Sequence, residues 1–274
     1  MSIARAANLH RRPIRCTVAL MITQRMDFQG PHGKISAKLD APDGTPRAYG
    51  LFAHCFTCSK DVLAATRISQ GLADLGVAVL RFDFAGLGNS QGKFADTNFS
   101  SNVEDLVAAA DFLRQKFAAP QLLIGHSLGG TAVLAGAHRI PESKAVVTIA
   151  SPCDPHYVVD NLLSEHLDTI EQLGQARVKL AGRDFDIRQH FVEDATRHRL
   201  HERIASLGRA LMVMHAPQDG TVGVDNAARI FSMAQHPKSF VSLDGIDHLV
   251  TGREDAAYVA SVIAAWSAKY IGTN

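Results

Sequence analysis

The chain has 274 residues, 46% of them hydrophobic, which is enough for one large α/β domain with a full core and does not require a second. Its 28 lysines and arginines nearly cancel 27 aspartates and glutamates, so the charge balance gives no sign of a nucleic-acid surface or an acidic tail. No apolar run approaches the roughly 18 residues of a membrane span, and four cysteines are too few and too scattered for a disulfide framework.

Residues 1–25 stand apart. They carry Arg5, Arg11, Arg12, Arg15 and Arg25 and no acidic residue. A secretory signal would need a longer apolar core and a small-residue cleavage site. A loose N-terminal extension is expected, with Met21 or Met26 as the true start; an organellar transit peptide is the alternative on composition. The folded domain is expected to run over 26–274.

From there strands and helices alternate, which predicts a mostly parallel sheet covered on both faces. Ile35 to Leu39 alternates like an edge strand, and Ala48 to Ala53 reads as a buried one. Asp61 to Leu75 carries a helical apolar stripe closed by Gly76. Val77 to Phe82 is the next buried strand. Asn102 to Phe117 reads as a helix, with Pro120 beyond its end. Gln121 to Ile124 is a short buried strand, Gly130 to Ala137 a small-residue helix, and Lys144 to Ala150 another strand.

The stretch from Ser151 to Leu207 breaks this rhythm and is too long for an ordinary loop. It reads as a helix over Val159 to Leu173, a β-hairpin of Ala176 to Leu180 and Phe185 to Arg188, and a second helix over Phe191 to Ile204. An insertion at this point of the topology is expected to cap the C-terminal edge of the sheet, where ligands bind in open α/β sheets. Strands at Arg209 to His215 and Ser239 to Leu243 and helices at Ala227 to Ala234 and Glu254 to Tyr270 complete the chain.

The chemistry gathers at strand ends. Gly125-His126-Ser127-Leu128-Gly129 matches G-x-S-x-G between a strand and a helix, the setting of a nucleophile elbow. A serine hydroxyl needs a base, and the base needs a carboxylate to orient it. Following the order Ser, acid, His, the candidates are Asp219, in the loop after Arg209 to His215, and His248, after Ser239 to Leu243. Asp154 competes as the acid because it too follows a strand, whereas Asp247 reads as a turn former. The backbone N–H groups of Leu128 and Phe56, with Cys55 as the runner-up, are the candidate oxyanion donors. His54 reads as a loop-bracing histidine. The glycine-rich run from Arg81 to Ser90 lacks a P-loop's Gly-Lys-Ser/Thr ending, and Asp83 reads as the carboxylate that fixes it. Cys55, His126, Leu162, Phe185 and Phe191 are candidate substrate contacts. The pair Cys55 and Cys58 is expected to act neither as nucleophile nor as redox couple.

These residues, in this order, resemble an α/β-hydrolase. The runs LFAHCFTCSKD, LRFDFAGLGNSQGKFADTNFSSNVEDL, LLIGHSLGGTAVLAGAHRIP, HAPQDGTVGVDNAARIF and HPKSFVSLDGIDHL are similar to the hydrolase half of bacterial bifunctional α/β-hydrolase/OsmC-type proteins. The resemblance covers roughly Met26 to Trp266. The OsmC-like domain that follows the hydrolase in those proteins is expected to be absent here. The loop-and-elbow pattern also resembles cinnamoyl and feruloyl esterases, which carry an insertion above the site. The resemblance implies the α/β-hydrolase fold with a cap and a serine esterase that cleaves a small-molecule carboxylic ester or thioester. Acyl transfer or perhydrolysis on the same residues, and a non-catalytic interaction module, are the other expectations. No cofactor, metal, nucleic acid or membrane is expected, a homodimer is the one assembly anticipated, and the cytoplasm is the default compartment.

Overall fold

The computed structural model describes residues 21–272 apart from residue 181. Its strands are β1 (Met21–Gly30), β2 (Gly33–Pro42), β3 (Ala48–Ala53), β4 (Val77–Phe82), β5 (Leu122–His126), β6 (Ala145–Ile149), β7 (Gln175–Leu180), β8 (Arg183–Arg188), β9 (Ala210–His215) and β10 (Lys238–Ser242). All but β7 and β8 form one eight-stranded sheet in the order β1-β2-β4-β3-β5-β6-β9-β10. Its first two pairings are antiparallel, and from β4 to β10 every pairing is parallel. Parallel strands put all their C-terminal ends on one edge, so the loops after β3, β5, β9 and β10 emerge together.

Because side chains alternate along a strand, each central strand feeds two cores. Leu51, Leu80, Leu123, Leu211 and Val213 face one side and Phe52, Val79, Leu122, Ile124 and Met212 the other. The second face is covered by α1 (Leu63–Asp74) and α9 (Arg253–Ser267), which supply Ile68, Leu72, Val259 and Ile263. The first is covered by α2 (Phe99–Lys116), α3 (Leu128–Gly136) and α8 (Asp225–Met233), which supply Leu106, Leu113, Val133 and Ile230. This is the mostly parallel, two-sided architecture that the sequence implies.

Several boundaries differ from the sequence reading for identifiable reasons. The expected edge strand at Ile35 to Leu39 is internal, because β1 pairs outside it from Met21↔Pro42 to Gly30↔Gly33. Residues 21–25 therefore belong to the domain rather than to an N-terminal extension; the expectation for residues 1–20 falls outside the described residues. Helix α2 begins three residues earlier than periodicity suggests. The Asn98 side chain accepts from Ser101 N–H and the Ser101 hydroxyl accepts from Asn98 N–H, a reciprocal capping box that satisfies donors the first turn would otherwise leave open.

The insertion 151–207 contains α4 (His156–Leu162), α5 (Leu167–Leu173), the β7–β8 hairpin, α6 (Gln189–Arg197) and α7 (His201–Ala205). Each helix expected from periodicity is thus two shorter ones. The insertion docks on the C-terminal edge of the sheet. Ser100, at the start of α2, donates from N–H and Oγ to the Asp194 carboxylate at 2.7 and 2.6 Å. Arg188 pairs with Asp96, and Arg183 donates to the Thr57 carbonyl in the loop after β3.

Candidate active site

Ser127 follows β5 directly and precedes α3. Its backbone sits at φ 53°, ψ −127°, a conformation that costs a side-chain-bearing residue on the order of 1–3 kcal/mol and persists only where its surroundings enforce it. The enforcement is visible. Ser127 N–H donates to Ile149 O at 2.8 Å. A Cβ on Gly125 would lie 2.2 Å from Gly129 O, and one on Gly129 would lie 2.3 Å from Ala53 O. Only glycine allows the strand, the turn and the helix to approach this closely.

The loops after β9 and β10 carry the two partners. His248 Nδ1–H donates to Asp219 Oδ2 at 2.8 Å, joining residues paired in the sequence by chain order alone. The Asp219 carboxylate is fully buried, yet its other oxygen accepts the backbone N–H groups of Thr221 and Val222 at 2.8 and 3.0 Å. Burial alone would raise its pKa; the hydrogen bonds from His248, Val222 and Thr221 outweigh that and hold it below the ordinary carboxylate value. Asp219 is therefore a charged acceptor. The competing Asp154 accepts instead from His156 N–H and Leu200 N–H inside the insertion. Asp247 accepts from Leu249 N–H, Thr251 N–H and the Thr251 hydroxyl, as a turn former does.

His126, beside Ser127, connects His248 to the end of β5. Its Nε2–H donates to His248 O at 2.7 Å, and the two rings lie 5.3 Å apart. His126 is 1% exposed, so its ring is packed in the interior rather than presenting a face to solvent or ligand. Burial, followed by the neighbouring His248, lowers its pKa to about 4 and keeps it neutral.

Among the described residues the backbone N–H groups of Leu128 and Phe56 donate to no protein acceptor. Leu128 opens α3, where N–H groups lack intrahelical partners and the helix dipole is positive. Cys55 and Cys58 form a disulfide with Cα atoms 5.3 Å apart. The cause is a tight turn in which Cys58 N–H donates to Cys55 O at 3.1 Å and Thr57 takes φ 61°. Cys153 is a free, buried thiol.

Phe185 and Phe191 reach this loop from the insertion. Phe191 lies 5.3 Å from Phe56, Phe56 lies 5.6 Å from Phe94, and Phe94 lies 4.8 Å from Phe185, all between ring centroids. Phe56 and Phe94 also line a narrow pocket of about 10 Å³ together with Cys55, Leu87 and Leu128. Leu162 ends α4 and is exposed. Among the described residues no group of three or more His, Cys, Asp or Glu could hold a metal ion, and no helix is long and apolar enough to cross a membrane.

The sequence reading missed the support beneath the loop after β3. Lys60, Arg81, Asp83 and Asp40 are all buried. Arg81 pairs with Asp40 at 2.7 Å and donates to Lys60 O at 2.6 Å. Asp83 fixes its own loop by accepting Asn89 N–H, as expected, but it also accepts Lys60 N–H and Nζ. The available signal was an arginine inside the apolar strand Val77 to Phe82.

Known proteins are similar to this chain in sequence and fold. The esterase domain of a Rhodothermus marinus protein is 48% identical, aligns over 91% of this chain and 99% of that domain, and superposes with a TM-score of 0.75. Est1E from Butyrivibrio proteoclasticus, solved with ferulic acid bound, has 21% identity, covers 89% and 98% of the two chains, and gives a TM-score of 0.79, a likeness of fold. The human mitochondrial palmitoyl-protein thioesterase ABHD10 is 26% identical over 163 residues, 58% of this chain and 52% of that protein. The chain spans between about a third and just over half the length of the curated relatives it matches. The profile of the serine aminopeptidase S33 family matches residues 45–199, more than half of the length. This chain is a hydrolase of the α/β-hydrolase fold and belongs to the serine aminopeptidase S33 family.

Proposed function

We propose that this protein hydrolyses carboxylic esters or thioesters through an acyl-enzyme on Ser127. The observation that carries the reading is the buried, ionised Asp219 bound to His248 Nδ1, with His248 tethered to the residue preceding the elbow serine. In this reading His248 Nε2 takes the serine proton as Oγ attacks the acyl carbon. The developing oxyanion accepts from Leu128 and Phe56 N–H. His248 then returns the proton to the leaving alcohol or thiol and activates the water that releases the acid. Asp219 holds the tautomer and stabilises the imidazolium. The name of the Rhodothermus marinus domain supports an ester, and that of the thioesterase relatives supports a thioester.

The test is turnover of p-nitrophenyl acetate and of an acetyl thioester, with an anilide as the amide control. Ser127→Ala is expected to lose on the order of 10⁶ in kcat while staying folded. Residual activity above a few per cent, in protein free of contaminating esterase, would reject Ser127. Turnover of the anilide at the ester's rate would move the substrate class to amides.

A further inference from the structure

Strands β3, β5 and β9 each end at a buried histidine or run directly into one: His54 is 1% exposed, His126 1% and His215 0%. None of the three is the base, yet each donates a ring N–H to a backbone carbonyl of a different catalytic segment. We propose that His54, His126 and His215 are positioning residues, assigned respectively to the oxyanion hole, the general base and the acid. The proposal rests on the Ser127–Asp219–His248 reading.

His54 shows the logic most directly. Its Nε2 accepts Phe84 N–H at 3.3 Å, so Nδ1 carries the hydrogen, and Nδ1–H donates to Cys55 O at 2.8 Å. That carbonyl belongs to the same planar peptide unit as Phe56 N–H. In a trans peptide the C=O and N–H point in opposite directions. Holding the carbonyl against the ring therefore aims the Phe56 N–H away from it, as a donor for the oxyanion must be held before charge develops.

His126 Nε2–H holds the carbonyl of the general base itself, at 2.7 Å. His215 Nε2–H donates to Val222 O at 2.8 Å, and Val222 N–H in turn donates to Asp219 Oδ1. The same His215 nitrogen lies 3.6 Å from Asp219 Oδ2. In both rings Nδ1 is buried without a partner, so the side chains are kept in place at the cost of an unsatisfied acceptor. A side chain present only to fill space would not need that atom.

The donating nitrogen differs: Nδ1 in His54, Nε2 in His126 and His215. Asparagine places an amide nitrogen near the Nδ1 position and glutamine near the Nε2 position. The variants His54→Asn, His126→Gln and His215→Gln are therefore expected to keep kcat within about tenfold. The exchanged pair His54→Gln and His126→Asn, and the leucine variants at all three positions, are expected to lose about 10² to 10³ in kcat with KM little changed, the scale of a lost oxyanion donor. Equal activity of Asn and Gln at both positions 54 and 126, or leucine variants as active as wild type, would overturn the proposal. Where a leucine variant fails to fold, the Asn–Gln pair carries the test.

A second measurement does not depend on turnover. Ring ¹⁵N NMR of the full wild-type chain is expected to show the Nδ1–H tautomer for His54 and the Nε2–H tautomer for His126 and His215. Any other tautomer at one of them would overturn its assignment. Loss of wild-type esterase activity with these tautomers intact would instead count against the catalytic reading.

Discussion

The ammonium of Lys60 donates to the Asp83 carboxylate at 2.6 Å, and the two side chains are 3% and 0% exposed. This pair joins the loop after β3, which carries the Phe56 N–H, to the loop after β4. These two buried charges are held by each other, by Asp61, whose carboxylate lies 3.5 Å from the ammonium, and by Asn89, whose Oδ1 accepts from Lys60 and whose N–H donates to Asp83. Lys60→Met leaves a buried carboxylate without its counter-charge. It is expected to cost about 3–5 kcal/mol of stability. Urea denaturation at pH 7 measures this, and the double variant Lys60→Met, Asp83→Leu should recover part of the loss. A single-variant cost below about 1 kcal/mol would show that Asp83 is satisfied without the lysine.

The choice of acid is decided by Asp219→Asn against Asp154→Asn. Asp219 is bonded to His248 Nδ1, whereas Asp154 accepts only from His156 and Leu200 backbone N–H groups, which an asparagine oxygen also accepts. Asp219→Asn is expected to lower kcat by roughly 10⁴, because the tautomer and the imidazolium lose their support. Asp154→Asn should change kcat by less than about twofold, since a neutral oxygen keeps its local bonds. The opposite pattern would assign the acid to Asp154.

What was legible in the sequence is what local chemistry decides. Gly125 and Gly129 flank Ser127 because no other residue fits the turn, so the elbow can be read from spacing. Asp219 and His248 stand in polar loops that follow β9 and β10, and chain order pairs them. The hairpin was readable from alternation on either side of Gly182, which takes φ 78°. The remainder depends on partners distant in sequence. β1 is mostly exposed and gains its identity from pairing with β2. The burial of Lys60 and Arg81 is set by Asp83 and Asp40; Arg81 stands out inside an apolar strand, but nothing near Lys60 announces its burial. The Cys55–Cys58 bond follows from the turn at Thr57, a backbone conformation that composition does not reveal.

Gly129→Ala tests the close approach of α3 to β3. Its Cβ would lie 2.3 Å from Ala53 O and 2.5 Å from His54 O, both backbone atoms that cannot rotate away. The helix start must shift, and the Leu128 N–H and Ser127 shift with it. A displacement of about 1 Å at a catalytic group costs on the order of 10² in rate. The expected result is a kcat loss of that size with a stability loss of about 1–3 kcal/mol. Thermal denaturation alongside kinetics separates the two effects, and unchanged kcat in a folded Gly129→Ala protein would show that the elbow tolerates the movement.

Asp105 offers a test of stability away from the chemistry. It lies buried in α2, where Oδ2 accepts Ala85 N–H at 2.8 Å and Oδ1 has no partner. Burial raises its pKa from 3.8 to about 6, more than the Ala85 hydrogen bond lowers it. The folded state therefore holds this proton more tightly than the unfolded state. Stability from this group is complete below about pH 4, falls as pH rises toward 6, and is level above that. A shift of about two units corresponds to about 3 kcal/mol. Asp105→Asn removes the titration and leaves any packing change independent of pH. The difference in unfolding free energy between Asp105→Asn and wild type should therefore grow in favour of the variant by about 3 kcal/mol between pH 4 and pH 7. Chemical denaturation at half-unit pH intervals measures it. A difference that stays constant across this range would mean that Asp105 titrates in the folded protein as it does in the unfolded chain.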